Sequence, residues 1–303
     1  MASASEIWTG ISDHAAALAD QAGKAVVAVD SGHRVAASGV HWKPGVIVTA
    51  SHLVRRASEV KVLLPDGTST SGTVVGRDGA TDIAAVRITE ETKLATLQFT
   101  RQAKVGEVVM AIARSGRGEL SASIGIVARI GASWQTWRGG QIERLIRPDV
   151  CLYPGQSGSV LVNARGEAIG INSAVLARAS VITVPVETVD RIVAELLERG
   201  HVAKPYIGVA MQAVPLPEDW RSAAANQEYG LLVMHVTPEG PAQKAGINLG
   251  DVIVSAEGEQ VSDFRKLYLQ LGRKRTGEAL KLRALRSGKP VDVTVELGDR
   301  PRV

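Results

Sequence analysis

The stretch Asp149–Val175, DVCLYPGQSGSVLVNARGEAIGINSAV, places a serine between glycines, Gly155-Gln156-Ser157-Gly158, directly after a proline. An apolar run follows (Ser159 to Val162), then a turn, Asn163-Ala164-Arg165-Gly166, then a second apolar run. A small hydroxyl on a glycine-rich loop just before a strand is either a plain turn residue or a nucleophile that substrate backbone can approach. Serine attacks at neutral pH only when a base takes its proton and a third group orients that base. Ser157 therefore demands a histidine and a carboxylate on rigid ends of strands.

Of six histidines, His14 and His33 lie in polar N-terminal surroundings, His41 is read as a turn before a strand, and His201 falls in a linker. His235 sits inside a later strand. His52 alone follows an apolar strand directly, in GVIVTASHLV. For the carboxylate, Asp82 in GATDIAAVRI opens a strand and is followed by apolar residues, the setting a buried orienting aspartate needs.

The surrounding pattern is β-rich. From Ala25 to Val186 short runs such as KAVVAV, VKVLL, GTVVG and EVVMAIA alternate with polar or glycine-bearing turns, with no helix between them. Many short strands at this spacing predict an all-β double sheet or a pair of small barrels. Before them, Ile7, Ile11, Ala15 and Leu18 share one side of a predicted helix over residues 5–20. After them, Val189, Ile192, Val193, Leu196 and Leu197 follow helical spacing up to a stop at Gly200. His201 to Pro205 reads as a linker, and the last 95 or so residues mix strands with a helix over SDFRKLYLQLG. The domain boundaries drawn are 1–24, 25–200 and 201–303.

At 303 residues with 45% apolar and 22% charged content, the chain can bury two cores. No apolar run approaches the roughly 18 residues that span a bilayer, so no transmembrane segment is expected. The N-terminus lacks the basic start and apolar core of a secretory signal, which is expected of a cytoplasmic chain or of a mature form without its leader. A single cysteine, Cys151, excludes internal disulfides and multi-cysteine metal sites; it reads as a buried apolar thiol. The net charge of +4 is uneven: from Arg265 to Val303 there are eleven Lys/Arg against four Asp/Glu. Those charges alternate with apolar residues as on solvated strand faces, so no nucleic-acid partner is expected.

The three segments VIVTASHLV, TDIAAVRI and PGQSGSVLVNARGEAIGINSA resemble the signature segments of the HtrA (DegP-like) branch of trypsin-fold serine proteases. The order His52, Asp82, Ser157 is the trypsin order, and the unit starting Tyr206-Ile207-Gly208-Val209 resembles that family's PDZ domain. The resemblance implies a mainly β chain: a trypsin-like double β-barrel followed by a small α+β PDZ domain. It further implies a triad of His52, Asp82 and Ser157 and an oxyanion hole from the N–H groups of Gly155 and Ser157. It assigns substrate contacts to Asn172, Ser173, Ala174 and Val175, and a PDZ carboxylate loop to Tyr206, Ile207, Gly208 and Val209. Ile171, Val175 and Leu176 are then expected to favour a small or medium apolar residue before the scissile bond. No metal or organic cofactor is implied.

The function implied is an ATP-independent endopeptidase for unfolded or misfolded protein, in a homotrimer to which Ile7 and Trp8 contribute, with peptide C-termini as PDZ ligands and the periplasm or cell envelope as home. Three positions depart from the pattern. Gln156 stands where asparagine is usual, Ser159 where glycine is usual, and Thr49-Ala50-Ser51 lacks an asparagine. The Gln156 and Ser159 departures motivate a second reading, an inactive homologue serving as a peptide-binding chaperone or scaffold. Phe264, Leu267 and Leu271 suit either a peptide-groove wall or ordinary core. Trp134 and Trp137 suit either a contact surface or a small local cluster.

Overall fold

The computed structural model describes residues 3–32, 35–89, 92–178, 180–203 and 205–299. His33 and Lys204 lie outside the described residues. Contacts divide the chain into a first unit reaching Val202 and a second starting at Ala203.

The first unit opens with α1 (Ala4–Gly23), started by a reciprocal cap in which Ser3 Oγ accepts from Glu6 N–H and Glu6 accepts from Ser3 N–H. Six strands then close a barrel: β1 (Val26–Asp30), β2 (Ala37–Lys43), β3 (Val46–Ala50), β4 (Glu59–Leu63), β5 (Ser69–Asp78) and β6 (Ile83–Arg87), in the order β1-β2-β3-β6-β5-β4. After β7 (Val108–Ser115) and β8 (Glu119–Gly131) comes a two-stranded ribbon, β9 (Trp134–Gln135) and β10 (Gln141–Ile142). β11 (Leu145–Pro148), β12 (Val160–Asn163), β13 (Ala168–Ala177) and β14 (Ser180–Pro185) complete a second barrel, ordered β11-β14-β13-β12-β7-β8.

Both barrels are filled by Val, Ile and Ala, whose branched or compact side chains suit a closed sheet. Val48, Ile83, Ile112 and Val160 belong to one continuous buried cluster. α2 (Val186–Arg199) packs Val189, Ile192, Val193 and Leu196 into that cluster and ends at Gly200 in the left-handed region, φ 73°. Trp42 on β2 donates to Asp190 of this helix at 2.8 Å. Contrary to expectation, His41 lies buried within β2 rather than in a turn, its Nδ1 2.9 Å from the Ala95 carbonyl.

In the second unit, β15 (Pro205–Tyr206) leads to β16 (Val209–Pro215), the short α3 (Glu218–Arg221), β17 (Tyr229–Val236) and α4 (Pro241–Lys244). β18 (Val252–Ala256), β19 (Glu259–Gln260), α5 (Phe264–Leu271), β20 (Ala279–Arg286), β21 (Lys289–Glu296) and β22 (Gly298–Asp299) follow. The main sheet runs β16-β17-β18-β20-β21, which leaves β16 at an edge. Leu267 and Leu271 are buried in the core with Phe264 packed against it, so these three serve the core.

The basic segment is partly neutralised: Arg283 pairs with Asp292 at 2.7 Å and Arg286 with the buried Asp251 at 2.8 Å. Burial alone pushes the Asp251 carboxyl up, but the Arg286 side chain and the Asn248 N–H outweigh it and hold the group below its ordinary value. Its folded value lies below its unfolded value of about 3.9, so the stabilisation is complete above that pH and is lost as pH falls through the folded value. The thermal midpoint of the second unit is expected to drop on acidification below about pH 4. Asp251→Asn should lower the midpoint at neutral pH and flatten that acid dependence. Calorimetry of the full chain across this range reads both, and parallel curves for parent and variant would contradict the role.

Candidate active site

β3 is buried along its whole length and stops at Ala50, where one turn of 3-10 helix, Ser51–Leu53, carries His52 out of the barrel. The register pairs Ala50 with Ile83, which brings Asp82 beside that turn, and Ser51 N–H donates to the Asp82 carbonyl at 3.0 Å. Asp82 itself has φ 62°, the left-handed region that non-glycine residues rarely occupy. Asp78 holds it there. The buried Asp78 carboxylate accepts from the N–H groups of Ala80 and Thr81 at 3.1 Å each, and from the Thr81 hydroxyl at 2.8 Å.

The Asp82 carboxylate is 3% exposed and faces three donors. His52 Nδ1 lies 2.9 Å from both oxygens, His52 N–H reaches Oδ1 at 3.0 Å, and the Ser173 hydroxyl donates to Oδ2 at 2.6 Å. A carboxylate only accepts, so Nδ1 carries the proton and Nε2 is left as the free base.

Ser157 approaches from the second barrel. Gly155 has φ 86° and Gly158 φ 90°, and both press against the first barrel. A Cβ on Gly155 would stand 2.6 Å from the Ala36 carbonyl oxygen, and one on Gly158 would land on the carbonyl oxygen of Ser38. Only glycine meets both demands. The loop is pinned on one side by Ser38 N–H donating to the Gly155 carbonyl at 2.8 Å. On the other side, Gly158 N–H donates to the Asn172 carbonyl at 2.9 Å.

The N–H groups of Gln156, Gly158 and Ser159 each have a partner within the chain; those of Gly155 and Ser157 have none among the described residues. Two unspent donors on the loop of the hydroxyl are what a developing oxyanion requires. The Ser157 hydroxyl accepts from Ala174 N–H at 3.1 Å. No hydrogen bond joins it to His52, a contact that tightens in many active sites only on substrate binding.

The two departures around the serine find partners. Gln156 accepts from Tyr153 N–H and donates to the Ser121 hydroxyl, each at 2.8 Å. Ser159 is fully buried and accepts from Asn172 Nδ2 at 3.1 Å, while Asn172 Oδ1 accepts from Thr183 at 2.8 Å. A buried polar chain with every member satisfied costs little.

Among residues assigned to substrate, the Asn172 side chain is thus buried within the barrel, and the Ser173 hydroxyl is spent on Asp82. Ala174 and Val175 are exposed, Val175 at 42%. Ile171 and Leu176 lie in the core, so of the three apolar side chains expected to set specificity only Val175 faces outward. Cys151 is exposed rather than buried. Trp134 is half-buried against the core on β9, whereas Trp137 at the ribbon tip is 73% exposed with the Arg138 guanidinium 4.4 Å from its ring centre. The ribbon grips the turn ahead of Asp82: Thr136 donates to the Ala80 carbonyl at 2.8 Å and Arg138 to that of Gly79 at 3.2 Å. Asp78 and Thr136 escaped sequence reading, although the Asp-Gly-Ala-Thr spacing of the first is that of an Asx turn.

Two closed six-stranded barrels with His, Asp and Ser meeting at their junction define a trypsin-like peptidase domain, here joined to a small sheet-and-helix domain. Residues 37–171 match the trypsin-like peptidase domain family and residues 205–297 the PDZ domain family. The chain belongs to the HtrA-type serine proteases.

It is 33% identical over 269 residues to the serine protease Do-like HtrA of Lactobacillus helveticus, covering 84% of this chain and 65% of that protein. The putative serine protease HhoA of Synechocystis is 34% identical over 265 residues, with 83% and 67% covered. The periplasmic serine endoprotease DegP of Escherichia coli is 34% identical over 261 residues, with 84% and 54% covered. The chain therefore spans about half to two thirds of the length of these curated relatives. Among solved structures, the HtrA-type protease AlgW with decapeptide superposes with TM-score 0.68 at 26% identity, over 95% of this chain and 99% of that one. The serine endoprotease from Yersinia pestis gives TM-score 0.68 at 26% identity, over 94% and 97%.

Proposed function

We propose that the chain is an ATP-independent serine endopeptidase that cleaves unfolded or misfolded proteins through an acyl-enzyme. The observation that carries this reading is the Asp82–His52 pair beside a glycine-braced Ser157 loop with two unspent N–H donors. His52 Nε2 takes the Ser157 proton as Oγ attacks the peptide carbonyl carbon. The carbonyl oxygen gains the electron pair and turns to the N–H groups of Gly155 and Ser157. Asp82 stabilises the imidazolium, which gives its proton to the leaving amine as the C–N bond breaks. Water, activated by the same His52, then frees the acyl group.

A fluorophosphonate probe followed by mass spectrometry tests the assignment, with the label expected on Ser157. Folded protein that takes no label would favour the chaperone or scaffold reading instead. The satisfied side chains of Gln156 and Ser159 weigh against that second reading.

The PDZ domain is proposed to capture peptide C-termini by adding a strand to the free edge of β16, with the carboxylate on the Tyr206–Val209 loop. Gly208 at φ 88° supports this, since a Cβ there would stand 3.2 Å from Pro241 Cδ. Gly208→Val is expected to weaken binding of an apolar-ended peptide about tenfold, from a backbone cost on the order of 1–3 kcal/mol. Fluorescence anisotropy on the full chain reads it, and unchanged affinity would remove the loop from the site.

A homotrimer is proposed on the exposed Ile7, Trp8 (71%) and Ile11 of α1, an apolar face suited to a subunit contact. Sedimentation as a monomer at micromolar concentration would oppose it. The periplasm, the compartment for which the DegP relatives are named, is the proposed compartment.

A further inference from the structure

The Ser157 loop turns on Gly155, at φ 86°. Glycine resists rotation about its own backbone bonds less than any other residue. The N–H groups near it are therefore aimed by whatever holds its carbonyl. That holder is Ser38 N–H, at 2.8 Å. Ser38 stands on β2 of the first barrel, while the loop leads into β12 of the second.

Ser38 is fully buried, and each of its polar groups is engaged. Its carbonyl, against which Gly158 sits, accepts from the Thr49 hydroxyl at 2.6 Å. Its hydroxyl oxygen accepts from Arg114 N–H at 3.1 Å. The ladder between β7 and β12 ends at Ile112, and Arg114 lies two residues past it on β7. The buried Arg114 guanidinium pairs with no carboxylate among the described residues. Its Nε donates to the Val26 carbonyl at 2.9 Å, its Nη1 to that of Gly118 at 2.6 Å and its Nη2 to that of Gly23 at 3.3 Å. A buried charge without a counter-ion is costly. What this one secures is position: a planar fork on carbonyls of α1, β1 and the turn after β7 fixes the residue whose N–H meets Ser38.

We propose that Ser38 is a positioning residue for the oxyanion hole. Its hydroxyl, anchored on Arg114, and its carbonyl, anchored on Thr49, set where its N–H holds the Gly155 carbonyl. That in turn sets where the Gly155 and Ser157 N–H groups point. The proposal rests on Ser157 being the nucleophile and on those two N–H groups receiving the oxyanion. Ser38 acts through the loop and touches no reacting atom. Its removal is therefore felt where negative charge develops on the substrate oxygen, and little in the ground-state complex.

The test compares the full chain with two variants. Ser38→Ala removes the acceptor of Arg114 N–H, and Thr49→Val, close in shape, removes the donor to the Ser38 carbonyl while keeping the serine. Labelling to completion with the fluorophosphonate probe counts intact sites, so that rates are expressed per labelled Ser157. Ser38→Ala is expected to lower kcat about tenfold with KM little changed, short of the roughly 10²–10³-fold that loss of a whole donor costs. A peptide boronate, whose tetrahedral adduct on Ser157 Oγ places an oxygen at the two N–H groups, should bind more weakly by the same factor. Thr49→Val should give a smaller loss, again shared between kcat and boronate affinity. A residue that only supports the fold would reduce the number of labelled sites and leave both quantities per site at parental values. That outcome overturns the proposal, and it does so on Thr49→Val alone if Ser38→Ala does not fold. A parent chain that takes no label on Ser157 overturns the protease reading and the positioning role together.

Discussion

Ser157→Ala is expected to lower turnover of an unfolded protein substrate by about 10⁴-fold or more, with the fold intact. The size follows from the chemistry: no other hydroxyl on the loop stands beside the two unspent N–H donors. The fold survives because the Ser157 side chain makes a single hydrogen bond, accepted from Ala174 N–H. Losing one such bond costs about 1 kcal/mol. His52→Ala should cost about as much in turnover, since nucleophile and base act as one unit. Cleavage of a fluorescent unfolded substrate, followed alongside circular dichroism, separates loss of chemistry from loss of fold. Near-normal turnover in either variant would sink the triad.

Asp82→Asn is expected to reduce kcat by about 10⁴-fold with little change in KM. Both carboxylate oxygens lie 2.9 Å from His52 Nδ1, so one of them must become an amide nitrogen facing the ring or facing Ser173. Ser173 can reverse its hydroxyl and accept, but an amide N–H turned toward Nδ1 drives the ring proton to Nε2. The base is then blocked by its own proton. Ser173→Ala provides a graded comparison: it removes one of three donors to the carboxylate and should give a much smaller loss. Stopped-flow or steady-state peptide assays measure both. An Asp82→Asn protein within tenfold of the parent would mean that Asp82 does not set the imidazole tautomer.

His52, Asp82 and Ser157, the proposed triad, stand out in the sequence because each sits in a short local pattern: an apolar strand ending in a polar turn, or a glycine-flanked loop. The second barrel's β12 and β13 and the helix α2 were legible for the same reason. β2 was not. Its Ala37-Ser38-Gly39 start has low strand preference, and the segment is a strand because it pairs with β1 and β3 and because Gly39 leaves room for Ile47 and Val29. The Ser173 hydrogen bond to Asp82 joins residues 91 positions apart on different barrels, so no local pattern announces it. Specificity was illegible on the same ground. Ile171, Val175 and Leu176 are all apolar and differ in which way they point; for Val175 and Leu176 that is decided where the pairing of β13 with β14 becomes irregular beyond Ser173.

The seat of Gly158 on the Ser38 carbonyl has a bearing on biosynthesis. His52 and Asp82, the proposed base and its aspartate, leave the ribosome with the first barrel, and Ser157, the proposed nucleophile, follows 75 residues after Asp82 on a loop whose resting place is the wall of that barrel. Neither half by itself holds all three of these residues. A chain still emerging, or one whose first barrel has come apart, has a serine with no base and a base with no serine. On the proposed mechanism, hydrolytic power thus arrives only with the docking of one barrel on the other.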